Sequence, residues 1–357
     1  MKKKEIKAAF NSILKPGKVN AFPYQLNIEI TTHCNLNCES CLRKSLIAKP
    51  DHMTFEKYKY IVDTIKPQML CLVGFGEPMM HPEFFDFIKY ADNDKISVSV
   101  TTNGTLLNDE SINEIFISGL KTLTISLDAP DEKTYTLVRK NNKFNSIIKN
   151  IIKINNEKKI RKTSYPNIVL HYVIYNYNYN KLNYFIEFSK QLEPSMIFFQ
   201  PCEYYDSSNK QILTNNIDKE TFKQEIQQAN YESLKSGIKT NLFFWEKKFE
   251  YLWLKYNHQE SQLPFCKDAC VRPWISSYIC IDGSVYLCCG LSVNHKQSIG
   301  NFFEENFETI WNSKKANNQR KNIKSGKKTL KGCSTCVPLS FYDEYKIFRS
   351  KKMKPPQ

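Results

Sequence analysis

The sequence predicts an α/β protein: a partial (β/α)6 TIM-like barrel followed by a small C-terminal cysteine-rich unit. Two observations carry this expectation. Six apolar runs of strand length alternate with helix-like segments between residues 24 and 202, the pattern of consecutive βα units around a parallel sheet. Seven of the twelve cysteines then fall between residues 266 and 336, behind a mostly polar stretch.

The predicted strands are residues 26–31, 69–73, 96–101, 123–127, 168–174 and 196–200. Between them apolar residues recur at helical spacing in 55–65, with Thr54 as N-cap, in 83–91 behind Pro82, and in 111–116, 144–155 and 181–192. A barrel of this kind places its chemistry in the loops that follow the strands. Cys71, inside the second strand, is expected in the core. Residues 206–256 are polar with helical periodicity, as in 219–234, and read as a bridge. Asp282-Gly283 separates apolar runs at 275–281 and 285–288, which predicts a two-residue type I′ hairpin with positive φ at both turn positions. These breaks divide the chain into an N-terminal extension (1–23), the barrel (24–202), a helical bridge (203–262), the cysteine-rich unit (263–337) and a C-terminal tail (338–357).

Composition narrows the class. A chain of 357 residues exceeds one typical domain, and 41% apolar residues suffice for a sizeable core. No run of about eighteen apolar residues is present, and Met1-Lys-Lys-Lys-Glu-Ile-Lys lacks the apolar stretch of an export signal. The expectation is a cytoplasmic protein without a membrane span, in which twelve cysteines argue for metal ligation over disulfides. Net charge is +15, and residues 313–331 hold eight Lys or Arg with no acid. Such a stretch fits a polyanion site or a solvated helix face. The general Lys, Asn and Ile enrichment favours the second, so nucleic acid is not the expected partner.

Cys34, Cys38 and Cys41 stand at CxxxCxxC spacing directly after the first strand. Three thiolates can hold three corners of a 4Fe-4S cube whose irons normally take four, leaving one iron open for chemistry. Spacing alone also admits a zinc knuckle. The segment resembles the cluster-binding loop of radical S-adenosylmethionine (radical SAM) enzymes. That resemblance implies S-adenosylmethionine chelated to the open iron and cleaved by one electron to a 5′-deoxyadenosyl radical, with a flavodoxin- or ferredoxin-type donor. The chain departs from the family at Ser40, where the residue before the third cysteine is usually aromatic.

Later strand ends extend the resemblance. Gly74-Phe75-Gly76-Glu77-Pro78 after the second strand is similar to the family's GGEP-type motif, which implies that Gly74, Gly76, Glu77 and Pro78 approach the cofactor's amino group. Asn103 after the third strand, and Ser126 and Asp128 after the fourth, fall where the family contacts the ribose and methionyl parts. Arg139 stands where an Arg often reaches the cofactor carboxylate, and a planar guanidinium suits that task. Gln200 and Pro201 end the sixth strand on the adenine side, and Cys202 beside them is the candidate hydrogen-atom donor. Taken singly, these residues read equally as turns, caps, surface charge and core.

Cys270, Cys288, Cys333 and Cys336 are separated by seventeen, forty-four and two residues. Together with Arg272-Pro273-Trp274, the Asp282-Gly283 hairpin and Gly300-Asn301, they resemble the single-cluster "twitch" form of the SPASM extension, found on an aminocyclitol dehydrogenase among others. The resemblance implies one auxiliary 4Fe-4S cluster saturated by four thiolates, serving electron transfer. A zinc site is the alternative, and Cys266, Cys280 and Cys289 complicate the choice of ligands. The implied function is a radical SAM oxidoreductase acting on a sugar- or cyclitol-like small molecule. One alternative is a maturase that modifies a peptide or protein, and another is a zinc-stabilised nucleic-acid-binding protein.

Overall fold

The computed structural model describes residues 3–38, 40–202, 216–257, 259 and 270–325. Six parallel strands form in sequence order: β1 (Gln25–Ile28), β2 (Met69–Leu72), β3 (Ser97–Thr102), β4 (Thr122–Ser126), β5 (Asn167–Ile174) and β6 (Met196–Pro201). The crossover helices are Phe55–Ile65, Phe84–Asn93, Asp109–Ile117, Glu132–Arg139 with Phe144–Ile160, and Leu182–Ser189. Side chains set their starts. Thr54 caps Lys57, Asn108 and Ser111 form a reciprocal capping box, and Asp131 caps Thr134.

Exposure alternates along these strands, except at the end of β4 and the start of β6, so the two faces can be read apart. The outer row, including Leu26, Ile28, Leu70, Leu72, Val98, Val100, Leu123, Ile125, Ile168 and Leu170, is buried against the apolar stripes of the helices. The inner row is largely polar, with Asn27, Ser99, Thr101, Thr124, Ser126, His171 and Gln200, and also carries Val169, Val173 and Phe198. A parallel sheet covered on both sides is normally apolar on both, so a hydroxyl- and amide-lined inner face marks a lumen. Cys71 belongs to that lumen and not to the helix-facing core, because it shares a register level with Asn27 and Ser99.

The cysteine-rich unit extends the same sheet. β7 (Ser276–Ile279) pairs parallel with β1, and β8 (Ser284–Tyr286) and β9 (Gly300–Asn301) follow antiparallel, giving nine strands among the described residues. The turn between β7 and β8 differs from the expected type I′. Only Gly283 has positive φ, +87°, while Cys280 N–H donates to Ser284 O at 3.1 Å and Gly283 N–H to Cys280 O at 3.0 Å. This is a three-residue loop closed by a left-handed glycine, which Asp-Gly suits equally well.

The polar bridge closes the other edge of the sheet. Its helices Lys219–Ser236, Leu242–Lys247 and Phe249–Tyr256 pack by β6, where Asn241 exchanges hydrogen bonds with Phe199 N and O at 2.8 Å each and Trp245 Nε1 donates to Phe199 O. Thr240 adds a parallel bridge to Ile197, so the exposed strand edge is covered. At the opposite end the N-terminal extension is strapped onto the cysteine-rich unit. Trp274 Nε1 donates to Pro16 O, Trp311 Nε1 to Ala21 O, and Asn312 bonds both polar groups of the Val19 backbone. Among the described residues no helix is long and apolar enough to cross a membrane.

Candidate active site

The loop carrying the first cysteines leaves β1 held on both sides. Met53 N–H donates to Ile30 O, and Thr32 Oγ1 accepts from Asp51 N–H at 2.8 Å. Within the loop Cys34 Sγ accepts from Leu36 N–H, and Cys41 N–H donates to Cys38 O. Burial pushes the Cys34 and Cys38 thiols up, and the nearby Cys41 pushes the same way. Without metal these thiols therefore keep their protons, and ligation would release them. Among the described residues no three His, Cys, Asp or Glu side chains converge on a single-ion point. A cube gives each thiolate its own iron and does not ask for that convergence.

The loop after β2 forms the next wall. A Cβ on Gly76 would stand 2.2 Å from Thr31 O, and one on Gly74 2.5 Å from Glu29 Cγ. Absence of a side chain at both positions thus lets this loop lie directly on the β1 loop. Glu77 N–H donates to His33 O at 2.7 Å, beside Cys34. Its carboxylate is 2% exposed and meets three donors: Thr102 Oγ1 at 2.6 Å and Met79 N–H at 3.2 Å on Oε1, Asn103 N–H at 2.7 Å on Oε2. Burial raises the Glu77 pKa, and those donors oppose the rise. Pro78 starts a short 3-10 turn, and Asn103 Nδ2 reaches across to Asn35 Oδ1 in the cysteine loop at 2.9 Å.

The third wall comes from β4 and β5. Ser126 and Asp128 are buried at the end of β4, with Asp128 in the left-handed region at φ +58°. Arg139 Nη2 lies 2.5 Å from Asp128 Oδ2, and Cys38 Sγ lies 3.7 Å from Arg139 O. Burial opposes the Arg139 charge, but Asp128, with Cys38 beyond it, raises its pKa overall. Arg139 Nε, Tyr135 Oη and Asp128 Oδ2 are buried without an aligned hydrogen-bond partner among the described residues, so the ion pair is a charge contact that leaves polar capacity unused. Ser40 Oγ meets Tyr175 Oη at 2.9 Å, which places an aromatic ring from the end of β5 beside the position that departs from the family.

The structure gathers Glu77 and Asn103 on one side of the cysteine loop and Asp128 and Arg139 on the other. Gln200 is engaged by His171 Nε2 at 2.9 Å in the lumen, and burial lowers the His171 pKa. Cys202 is buried with Val138 and Tyr175, its N–H donating to Tyr256 Oη. Sequence reasoning passes over Glu29, Tyr135, His171 and Tyr175, and places Thr102 at the end of the third strand without its partner Glu77. An acid within the predicted first strand is the available signal for Glu29, and period-two alternation for His171.

Of the second cysteine set, Cys270 and Cys288 are half-buried, whereas Cys266, Cys333 and Cys336 lie outside the described residues. Cys280 is buried in the β7–β8 turn beside Glu29, and Cys289 is exposed, with Cys71 and Tyr278 as electrostatic neighbours. Cys34 and the described pair Cys270 and Cys288 lie towards opposite ends of one strand. Cys34 follows the C-terminal end of β1, while Cys270 and Cys288 flank β7 and β8 near Ser276, the partner of Gln25 at its beginning. About 10 Å of strand, the three rises from Gln25 to Ile28, separates the two ends of β1, and the inner row runs between them.

Fold and cysteines together define an α/β-barrel iron–sulfur protein with a second cluster-binding unit on the same sheet. Residues 28–188 match the Radical SAM superfamily model, and residues 270–337 match the SPASM model, described as an iron-sulfur cluster-binding domain. The two matches together span more than half of the sequence, and the chain belongs to the radical SAM superfamily with a SPASM domain. Its cofactors are accordingly the radical SAM 4Fe-4S cluster, S-adenosylmethionine and an auxiliary iron–sulfur cluster. Among curated relatives, a tungsten-containing aldehyde ferredoxin oxidoreductase cofactor-modifying protein of Pyrococcus furiosus is 32% identical over 107 residues, 29% of this chain and 30% of the relative. A mycofactocin maturase of Mycobacterium ulcerans is 30% identical over 119 residues, 33% of this chain and 32% of the relative. The matched part is thus about a third of each relative's length. Among solved structures, Streptococcus suis SuiB bound to its precursor peptide SuiA superposes with TM-score 0.66 at 14% identity, over 99% of this chain and 78% of SuiB. The protein anSMEcpe with bound S-adenosylmethionine gives 0.63 at 19%, over 91% and 92%. At these identities the likeness establishes the fold.

Proposed function

We propose that the protein is a radical SAM oxidoreductase that acts on a small hydroxylated molecule, of the sugar or cyclitol kind, held in the barrel lumen. One observation carries the choice of substrate class: the inner strand face sets hydroxyls, amides and an imidazole at Asn27, Ser99, Thr101, Thr124, Ser126, His171 and Gln200 among the apolar Val169, Val173 and Phe198, where an apolar face throughout is the rule. Asn27 is already bonded to Ser277 O, Ser99 to Leu70 O and His171 to Gln200, so hydroxyls such as those of Thr124 and Ser126 are the groups that can exchange hydrogen bonds with a polyol.

Cys34, Cys38 and Cys41 hold one cluster, and Cys270, Cys288, Cys333 and Cys336 one auxiliary cluster that takes up an electron. Gly74, Gly76, Glu77 and Pro78, with Asn103, form the wall for the cofactor's amino end. Ser126, Asp128 and Arg139 form the wall for its ribose and carboxylate. The unpartnered Arg139 Nε and Tyr135 Oη support this fit, because an oxygen-rich group is what they lack. When bound, the cluster and S-adenosylmethionine supply a carbon radical that takes a hydrogen atom from an unreactive C–H bond. The protein's own task is to orient that bond, exclude water and accept charge. A flavodoxin- or ferredoxin-type protein is the proposed electron donor and the cytoplasm the proposed compartment.

The test is a panel of deuterated polyols and short peptides given to the anaerobically reconstituted enzyme with reductant. Deuterium entering 5′-deoxyadenosine from a polyol, with a product two hydrogens lighter, is expected. Transfer from peptides alone would instead install a second reading, peptide modification. The identity shared with the mycofactocin maturase, and the fold shared with peptide-bound SuiB, favour that reading.

A further inference from the structure

We propose that helix Lys3–Leu14 docks this protein on an anionic lipid surface. The helix is built with its polarity reversed. Ile6, Phe10, Ile13 and Leu14 are 54%, 61%, 68% and 51% exposed, and their spacing of four, three and one places them on one stripe. Facing inward instead are Asn11, Ser12 and Lys15, all nearly buried, with Ser12 Oγ donating to Ala9 O and Lys15 Nζ over the Trp274 ring at 5.8 Å. Other exposed bulky side chains, such as Ile117, Ile160 and Tyr184, stand singly on separate elements, which is ordinary. Four on two and a half turns of one helix form an unpartnered face.

Charge around the stripe selects its occupant. Lys7 and Lys18 are exposed beside it. The described part of the basic run lies alongside as helix Lys314–Ser325, whose Lys324 Nζ bonds Leu14 O and Lys15 O at 3.0 Å each, while residues 326–331 lie outside the described residues. That helix buries Ala316, Gln319, Arg320 and Ile323, and leaves Lys314, Lys315 and Lys321 in solvent. An apolar stripe rimmed by lysines is the pattern of a helix lying in a bilayer interface, its side chains among the acyl chains and its cations on the headgroups. Nucleic acid would engage the lysines but leave Phe10 and Ile13 in water. A second copy would bring two surfaces of like charge together, in a chain of net charge +15.

The iron-loaded full chain is to be floated with phosphatidylglycerol–phosphatidylcholine vesicles and with pure phosphatidylcholine vesicles, at low and high salt. Expected are flotation with the anionic vesicles only, release by salt, and a loss of affinity of about tenfold or more in F10E/I13E and in K18E/K321E. Iron content and 5′-deoxyadenosine formation should stay unchanged in both variants, which separates loss of docking from misfolding. Equal binding to neutral vesicles, no binding to either, or undiminished binding by F10E/I13E overturns the proposal. So does a concentration-dependent dimer that F10E/I13E abolishes.

Discussion

Arg139 stands over Asp128 at 2.5 Å, both side chains nearly closed to solvent, directly beneath the backbone that Cys38 touches. Asp128 is pinned from every side. Its Oδ1 accepts from Val173 N–H at 2.7 Å, and its carbonyl accepts from Asn178 Nδ2 at 2.8 Å. The ends of β4 and β5, the helix Glu132–Arg139 and the cysteine loop therefore meet at one ion pair. Geometry at Cys38 thus depends on two charges far away in sequence.

Removing one partner of this pair should be worse than its modest net worth suggests, because the other stays buried and uncompensated. Arg139→Ala is expected to destabilise the protein by about 3–5 kcal/mol. Arg139→Ala/Asp128→Asn should recover part of that loss, since Asn tolerates the left-handed φ and carries no charge. Anaerobic urea titrations of the three variants measure it. An unaltered midpoint for the single variant would show that the pair carries no stability.

Glu77→Gln replaces one accepting oxygen by an NH2 that faces donors. Thr102 Oγ1 and Asn103 N–H occupy different oxygens, so whichever way the amide turns one of them loses its acceptor. The cost should be about 1–3 kcal/mol, with weakened retention of S-adenosylmethionine by the iron-loaded protein in equilibrium dialysis. Wild-type retention at unchanged stability would remove Glu77 from the cofactor wall.

Much of this architecture is legible in the order of residues alone. Strands and helices follow from apolar periodicity, Cys34 from its spacing to Cys38 and Cys41, and Glu77 from the resemblance of its glycine-rich stretch to a family motif, because those signals are local. Long-range pairings leave no local trace. Thr102 as the partner of Glu77, Asn241 against Phe199 and Tyr175 against Ser40 are set by packing of elements distant in sequence. Cys71 misleads because a short strand of apolar residues does not say which face looks into a lumen. Asp282-Gly283 misleads because the dipeptide serves two hairpin lengths, and only strand register decides between them.

The two cysteine sets should separate by iron content. Wild-type protein reconstituted anaerobically should hold about eight irons per chain, and Cys34→Ala about four, with no 5′-deoxyadenosine. Cys288→Ala should also lose about four irons yet still cleave S-adenosylmethionine without substrate turnover, because its thiolate lies at the far end of β1. Equal loss of cleavage in both variants, at equal protein stability, would contradict two independent sites.

Glu29 makes the clearest pH prediction. Its carboxyl lines a cavity of about 150 Å³ with Phe75, Asp282, Ser292 and His295, between the barrel mouth and the β7–β8 turn. Burial pushes its pKa up from 4.5 to about 7, against the pull of the Phe75 N–H at 2.7 Å and with a further push from Asp282. The unfolded chain thus loses this proton near 4.5 and the folded chain near 7, so the native state binds more protons between those values. Stability from this group is whole below the lower value, falls as pH rises between them and levels off above 7, by at most about 3 kcal/mol. Glu29→Gln keeps an acceptor for Phe75 and cannot ionise, so its stability should lack this decline. His52 and His81, both lowered by burial, slope the other way in the same range, which makes the difference between the two proteins the quantity to measure. Urea midpoints taken from pH 5 to pH 8 should diverge in favour of the variant up to about pH 7 and keep that gap above it, and two curves parallel throughout would show that Glu29 does not hold its proton in the folded chain as its surroundings require.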